Sequence, residues 1–305
     1  MIGFMKTVVT LGTLREDITL NYDFSHPMKV SEEKVHKAKW SVGGSVHNTC
    51  YYLSLNSTKL NIRMCTSNYV LLLQRVNQDA IADNYRIITT EKEMWEYPIS
   101  IIGVREDGDK QLLSYDPVMD TELLFLFEHE ANNADFVYTS FYEINENNYL
   151  RICKILQGCH SRGVMTMIDL CPLISSISES GLREVLNNVA IVSGNEHEYK
   201  DLIHKLGIAD MNDLLGNHPN IEYLFIKRGN QGAEYKSRYE AEDCKVQCLE
   251  SNNSEILNTT GCGDVFNAAI IEGFCLGEKN IQSILKHAVI ESEKIAKGGL
   301  PWIKK

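Results

Sequence analysis

Apolar residues make up 44% of this 305-residue chain, yet they never gather into a long run. The longest stretches, such as Leu123–Phe127 and Val70–Leu73, stop far short of the ~20 residues a membrane-spanning helix needs. Clustered basic residues are missing too. The 30 Lys and Arg are outnumbered by 41 Asp and Glu, for a net charge of −11. That balance argues against a nucleic-acid or polyanion partner, because counterion release needs grouped cations. Proline is scarce at 6 residues, so no Pro-rich linker divides the chain. The 9 cysteines are odd in number, scattered from Cys50 to Cys275, and include no CxxC pair. Cys244 and Cys248 could share a helix face or straddle a strand, but no His or second Cys pair accompanies them. Free thiols in a reducing cytosol are the simplest account, and a cytoplasmic protein with idle sequons at Asn56, Asn252 and Asn258 is expected. The apolar N-terminus is short and runs into Arg15, Glu16 and Asp17 without a small-residue cleavage site, so it reads as a buried first strand. Three common motifs are absent: GxxxxGK[ST], GxGxxG after the first strand, and HExxH.

What is present is an alternation of short apolar strands and amphipathic helical stretches, the pattern of an α/β protein. Strands are expected at Lys6–Leu11, Asp135–Thr139, Gly163–Ile168, Val189–Ser193 and Ile221–Ile226. Helices are expected at Asn147–Cys159, Leu182–Leu186, Glu196–Leu206, Asp264–Leu276 and Ile281–Lys297, the last stopped by Gly298 and Gly299. Ile18–Lys39 and Tyr97–Tyr115 break the rhythm. The second places Asp107-Gly108 between two alternating runs, which predicts a hairpin. Too small to fold alone, these pieces are expected to form a small β-sheet attached to a single α/β body spanning 1–305. Ligands of open parallel sheets sit beyond the carboxyl ends of the strands. Gly12 to Asp17, Ser140, Asp169, Asn195 and Lys227 to Gly232 therefore mark one sheet edge as the site.

The strongest local signal is Asn258-Thr259-Thr260-Gly261-Cys262-Gly263-Asp264-Val265-Phe266. Gly-Cys-Gly has little side-chain bulk and precedes an amphipathic helix, whose first N–H groups and dipole make an anion site. A carboxylate beside a bound anion would be repelled, so Asp264 suggests a job there, such as accepting a proton from an attacking hydroxyl. An Asp in the first turn of a helix after a loop is also a common structural feature.

TTGCGDVF closely resembles the signature of the ribokinase-like (PfkB) carbohydrate kinases, DTTGAGDxF. Other segments agree in order. Gly12 with Asp17 resembles the family's first strand end and its substrate-contacting Asp. Gly43-Gly44 with Asn48 resembles its GGxxxN segment, and Asn195 with Glu198 its NxxE motif. Lys227-Arg228-Gly229-Asn230-Gln231-Gly232 is similar to the segment lining the nucleotide. The resemblance implies a three-layer α/β sandwich with a mostly parallel central sheet and a small β lid at about 18–39 and 97–115. It implies transfer of the γ-phosphoryl group of ATP to an alcohol of a small sugar or sugar-like acceptor. Asp264 would be the base, and the amides of Gly261, Cys262 and Gly263 the anion hole. Asp17, Gly43, Gly44 and Asn48 would hold the acceptor. Lys227, Gly229 and Gly232 would line the nucleotide, and Asn195 and Glu198 would organise Mg²⁺ through water. Lids of this family often pair between subunits, which implies a homodimer.

Departures from the pattern fall mostly on the acceptor side. Asn258 replaces the Asp that belongs to a monovalent-cation site in several members, so such a site is not carried over. Arg15 stands where many relatives carry Asn. It could pair with an acidic or phosphorylated acceptor or simply point away, and the second is preferred. Cys65-Thr66-Ser67-Asn68 replaces glycine and Asp positions, and Asp169-Leu170-Cys171-Pro172 lacks the Asn and Arg that often follow the Asp. Two alternatives therefore stand beside the sugar kinase: a nucleoside kinase of the same fold, and an inactive sugar-binding regulator.

Overall fold

A computed structural model describes residues 5–20, 22, 37–78, 81–104, 110–240, 243–248 and 259–298. Its core is a nine-stranded sheet. In chain order the strands are β1 (Lys6–Leu11), β4 (Leu60–Tyr69), β5 (Tyr85–Met94), β8 (Phe136–Ser140), β9 (Met165–Asp169), β10 (Ile191–Asn195), β11 (Tyr223–Lys227), β12 (Ala233–Ser237) and β13 (Cys244–Val246). Their order across the sheet is β13-β12-β11-β10-β9-β8-β1-β4-β5. The seven strands from β11 to β5 pair in parallel, and β12 and β13 close one edge antiparallel.

Helices cover both faces, as the near-continuous apolar strands require. Val8 of β1 faces one core with Ile62 and Tyr138; its neighbour Val9 faces the other with Val137 and Ile168. The first core is closed by α1 (Ser45–Asn56), α2 (Val70–Gln78), α8 (Cys262–Cys275) and α9 (Ile281–Gly298). The second is closed by α3 (Leu123–Ala131), α4 (Tyr149–Ser161), α5 (Glu179–Leu186), α6 (Glu196–Leu206) and α7 (Met211–Asn217). The result is the expected three-layer sandwich.

The two arrhythmic stretches do form a separate sheet, of order β3-β2-β6-β7, from β2 (Arg15–Leu20), β3 (Ala38–Gly43), β6 (Ile99–Val104) and β7 (Lys110–Tyr115). It begins earlier than the pattern predicts: Arg15, Glu16 and Asp17 belong to β2, since only three residues separate that strand from β1. Most expected elements recur with ends displaced by about two residues, the usual uncertainty of such boundaries. Among the described residues no helix is long and apolar enough to cross a membrane. The Asp107-Gly108 turn, Gly299, Asn252 and Asn258 lie outside the described residues.

Candidate active site

One cavity of about 480 Å³ opens at the carboxyl edge of the large sheet, beneath the small one. Its floor is the start of α8. Gly261, with φ 81°, caps that helix, and the first-turn residues Cys262, Gly263 and Asp264 line the cavity. The Cys262 amide donates to the Thr259 carbonyl at 3.3 Å, which differs from the expected three-amide hole. The helix rule leaves the amides of the next residues, Gly263 and Asp264, without i−4 carbonyls to bond. Lys227, at the end of β11, adds positive charge: its Nζ lies 3.5 Å from where a Gly263 Cβ would sit. The same ammonium pairs with Asp169, at the end of β9, at 2.7 Å.

Asp264 is held from α1. Ser45 Oγ donates to its Oδ1 at 2.6 Å and Asn48 Nδ2 to its Oδ2 at 2.9 Å. Thr49 Oγ1 donates to its backbone carbonyl at 3.2 Å, tying the two helix starts together. Burial pushes the Asp264 carboxyl up to about 6, against the lowering effect of the Ser45 and Asn48 hydrogen bonds. A carboxyl raised to that level is still mostly ionised at neutral pH, and it lines the cavity.

The glycine pair explains how α1 reaches this position. Gly44, with φ 112°, makes the turn into α1, and a Cβ on it would sit 2.2 Å from the Thr13 carbonyl. A Cβ on Gly43 would sit 2.0 Å from Asp17 Oδ2, so the bare residue is what lets the Asp17 carboxylate occupy its place. Asp17 lines the cavity from the small sheet, with Ser100, Ile102, Leu112 and Ser114. Burial raises its carboxyl to about 6. Opposite lies Glu143, just after β8, which accepts from the amide of Thr13 at 3.0 Å and also from its hydroxyl. Burial pushes Glu143 up to about 7.

Asn195 and Glu198 also face the cavity, but their first role is local. Asn195 Oδ1 accepts from the Glu198 amide at 2.9 Å and Glu198 Oε2 accepts from the Asn195 amide at 2.8 Å, a reciprocal cap on α6. The Glu198 carboxyl is raised to about 7 by burial and next by the Asp169 charge. Glu198 and Asp169 both line the cavity, with Asp169 already paired to Lys227. Among the described residues no group of three His, Cys, Asp or Glu side chains is gathered tightly enough to bind a metal alone. Glu198, Asn195 and Asp169 offer hard oxygen donors to the cavity, few in number, which is the donor chemistry magnesium takes beside the waters it keeps.

Of the expected site residues, Asp17, Gly44, Asn48, Asn195, Glu198, Lys227, Gly229, Cys262, Gly263 and Asp264 all border the cavity. Gly232 packs against the chain after β13 instead: a Cβ there would meet the Val246 carbonyl at 2.0 Å. Arg15 does not point away. It lines the cavity, because it shares a strand face with Asp17. Ser45, Ser100 and Glu143 are members that motif reasoning missed. Glu143 lies three residues beyond Ser140, so a wider reading of the β8 strand end would have included it.

The fold is a three-layer α/β sandwich with a cavity at the carboxyl edge of its sheet, floored by the start of a helix. The chain matches the pfkB family carbohydrate kinases over residues 5–289 and belongs to that family. It is 30% identical over 146 residues to a ribokinase of Bacillus subtilis (strain 168), a stretch covering 48% of this chain and 43% of that protein. The fold matches a Burkholderia thailandensis nucleoside kinase solved with inosine, with a TM-score of 0.73, 14% identity and coverage of 98% and 94% of the two chains. It also matches an Arabidopsis thaliana ribokinase solved with ribose and ATP, with a TM-score of 0.70, 16% identity and coverage of 98% and 96%.

Proposed function

We propose that the protein transfers the γ-phosphoryl group of ATP to a hydroxyl of a small sugar or sugar-like acceptor. The observation that carries this reading is the Asp264 carboxylate. It is half-buried at the start of α8, gripped by Ser45 and Asn48, and shares one cavity with an acceptor-side pair, Asp17 and Glu143, and a phosphate-side cation, Lys227. Ionised carboxyls are pure acceptors and suit an array of hydroxyl groups. In this reading Asp264 takes the proton of the attacking hydroxyl. The α8 start and Lys227 meet the charge spread over the transferring phosphoryl, as fixed groups needing no reorganisation. Glu198 and Asn195 would hold magnesium through water, supplying further positive charge to the phosphates. Gly229, at the nucleotide end, leaves room beside the β11 exit; Gly232 shapes the turn behind it.

The small sheet acts as a lid in this proposal, excluding water from the cavity. Its outer face carries Trp40, Ile18, Ile101 and Leu113 in one row of register. Trp40 and Leu113 are 59% and 58% exposed. That apolar row supports pairing of two lids in a homodimer, which sedimentation of wild type against Trp40→Glu would check. A nucleoside acceptor is the second reading, favoured by the likeness to the inosine-bound kinase.

Purified protein assayed for ADP release with sugars, sugar acids, sugar phosphates and nucleosides decides among these. Turnover confined to nucleosides replaces the sugar reading. Ligand binding without turnover across the whole panel favours the inactive regulator.

A further inference from the structure

We propose that Arg15 is a positioning residue for the acceptor: through Ser100, its guanidinium fixes the Asp17 carboxylate as a hydrogen-bond acceptor aimed into the cavity. The inference rests on the kinase reading for its purpose, but not for its test.

Arg15 and Asp17 are alternate residues of β2 and so lie on one face of the small sheet. Ser100 of β6 is the register partner of Asp17. Arg15 Nη1 lies 3.3 Å from Ser100 Oγ and 3.4 Å from the Ile99 carbonyl, and Nη2 pairs with Asp116, just past β7. A hydroxyl has one proton. When Ser100 Oγ accepts from a guanidinium, which can only donate, its own proton is left for its other partner, the Asp17 carboxylate. The chain of bonds therefore has one direction, Arg15 to Ser100 to Asp17, and it ends on a carboxylate rather than a carboxylic acid.

Two other charged groups face this pair. Asp264 comes from α8, and its charge raises the Asp17 carboxyl. Glu143, also on the cavity, is raised by burial, and the Arg15 charge opposes that rise less than the two Thr13 hydrogen bonds do. From β3, Gly43 stands beside the carboxylate and Ser41, an uncharged residue, is the register partner of Asp17. Burial is the largest influence on Asp17, and the Arg15 charge is the largest opposing one. Without that charge Asp17 would take up a proton near neutrality, and one acceptor of substrate hydroxyls would become a donor.

A purely mechanical role is the competing explanation, since Arg15 also rivets β2 to β6 and to the β7 exit. The two differ in what happens to Asp17. Protein carrying ¹³C-labelled aspartate carboxyls is titrated by NMR, with Asp17 assigned from Asp17→Asn. In folded Arg15→Gln the Asp17 midpoint is expected to rise by about one pH unit. Ser100→Ala, a small change, is expected to move it the same way by less. An unmoved Asp17 midpoint in either folded variant overturns the proposal. The titration needs no acceptor, so it decides the role of Arg15 whether or not the chain proves to be a sugar kinase.

Discussion

Replacing Asp264 by Asn is expected to abolish phosphoryl transfer and, at pH 8, to make the protein more stable. The folded carboxyl stands at about 6 against 3.8 when free, because burial disfavours its charged form. The folded protein thus binds the proton more tightly than the unfolded chain. Stability falls as pH rises through this interval, and the whole penalty is present above pH 6. An upward displacement of about two pH units amounts to about 3 kcal/mol. At pH 5 about half of it remains, and below pH 3 none. Asn is neutral and escapes the penalty. Ser45 can still donate to its oxygen, but Asn48 Nδ2 then faces an amide NH₂, a mismatch costing about 1–2 kcal/mol unless Asn48 turns over. The net expectation is a gain of about 1–2 kcal/mol at pH 8, shrinking to nothing near pH 5. Urea unfolding of both proteins at the two pH values measures it, alongside ADP release, which should fall by at least about 10³-fold. A variant destabilised at pH 8, or one whose stability difference ignores pH, would refute the burial argument. Near-normal turnover would remove Asp264 from its role as base.

Four other outcomes are expected. Glu198→Gln should keep α6 capped, since Gln completes the same reciprocal cap, yet raise the magnesium requirement by about 10-fold; an unchanged magnesium titration counts against the assignment. Lys227→Met strands the buried Asp169 and should cost about 3 kcal/mol while raising KM for ATP, measured by unfolding and steady-state kinetics. Gly43→Ala displaces the Asp17 carboxylate and should lower kcat/KM for the acceptor by about 100-fold with ATP binding intact, as calorimetry would show. In the wild type, acceptor kcat/KM should rise with pH and level off above an apparent midpoint near 6, where Asp17 and Asp264 both ionise; a profile flat from pH 5 to 8 contradicts this.

The phosphate side of the cavity was legible in the sequence because it is local. Gly261 to Asp264 are consecutive, and Asn195 and Glu198 lie one turn apart, so chain order fixes their geometry. Five of the seven parallel strands, β1, β8, β9, β10 and β11, were legible as short apolar runs that end at polar residues, whereas the ten-residue β4 and β5 went unread. The acceptor side is assembled across long separations. Glu143 meets Thr13, and Ser45 meets Asp264, only because β8 lies beside β1 and α1 beside α8, which no spacing reveals. Arg15 was misjudged for the same reason: its orientation follows from a strand that composition did not mark. The helices α1, α2, α3 and α7 went unread as well. In α1, Tyr, Cys, Asn and Ser occupy buried positions, so its apolar stripe is faint.

The small sheet is joined to the rest of the fold by four connections: Gly12-Thr13-Leu14 between β1 and β2, Gly44 between β3 and α1, residues 95–98 between β5 and β6, and residues 116–122 between β7 and α3. Thr13 and Gly44 are themselves cavity residues. Two of the four connections therefore carry cavity residues, and in the proposed kinase these would serve as both hinge and recognition surface. A ligand that presses on them loads the pivot directly, and the angle between the sheets becomes a gauge of occupancy. Evolution or engineering cannot redraw the one without retuning the other. A change of substrate in this scaffold should therefore arrive together with a change in the tempo of opening and closing.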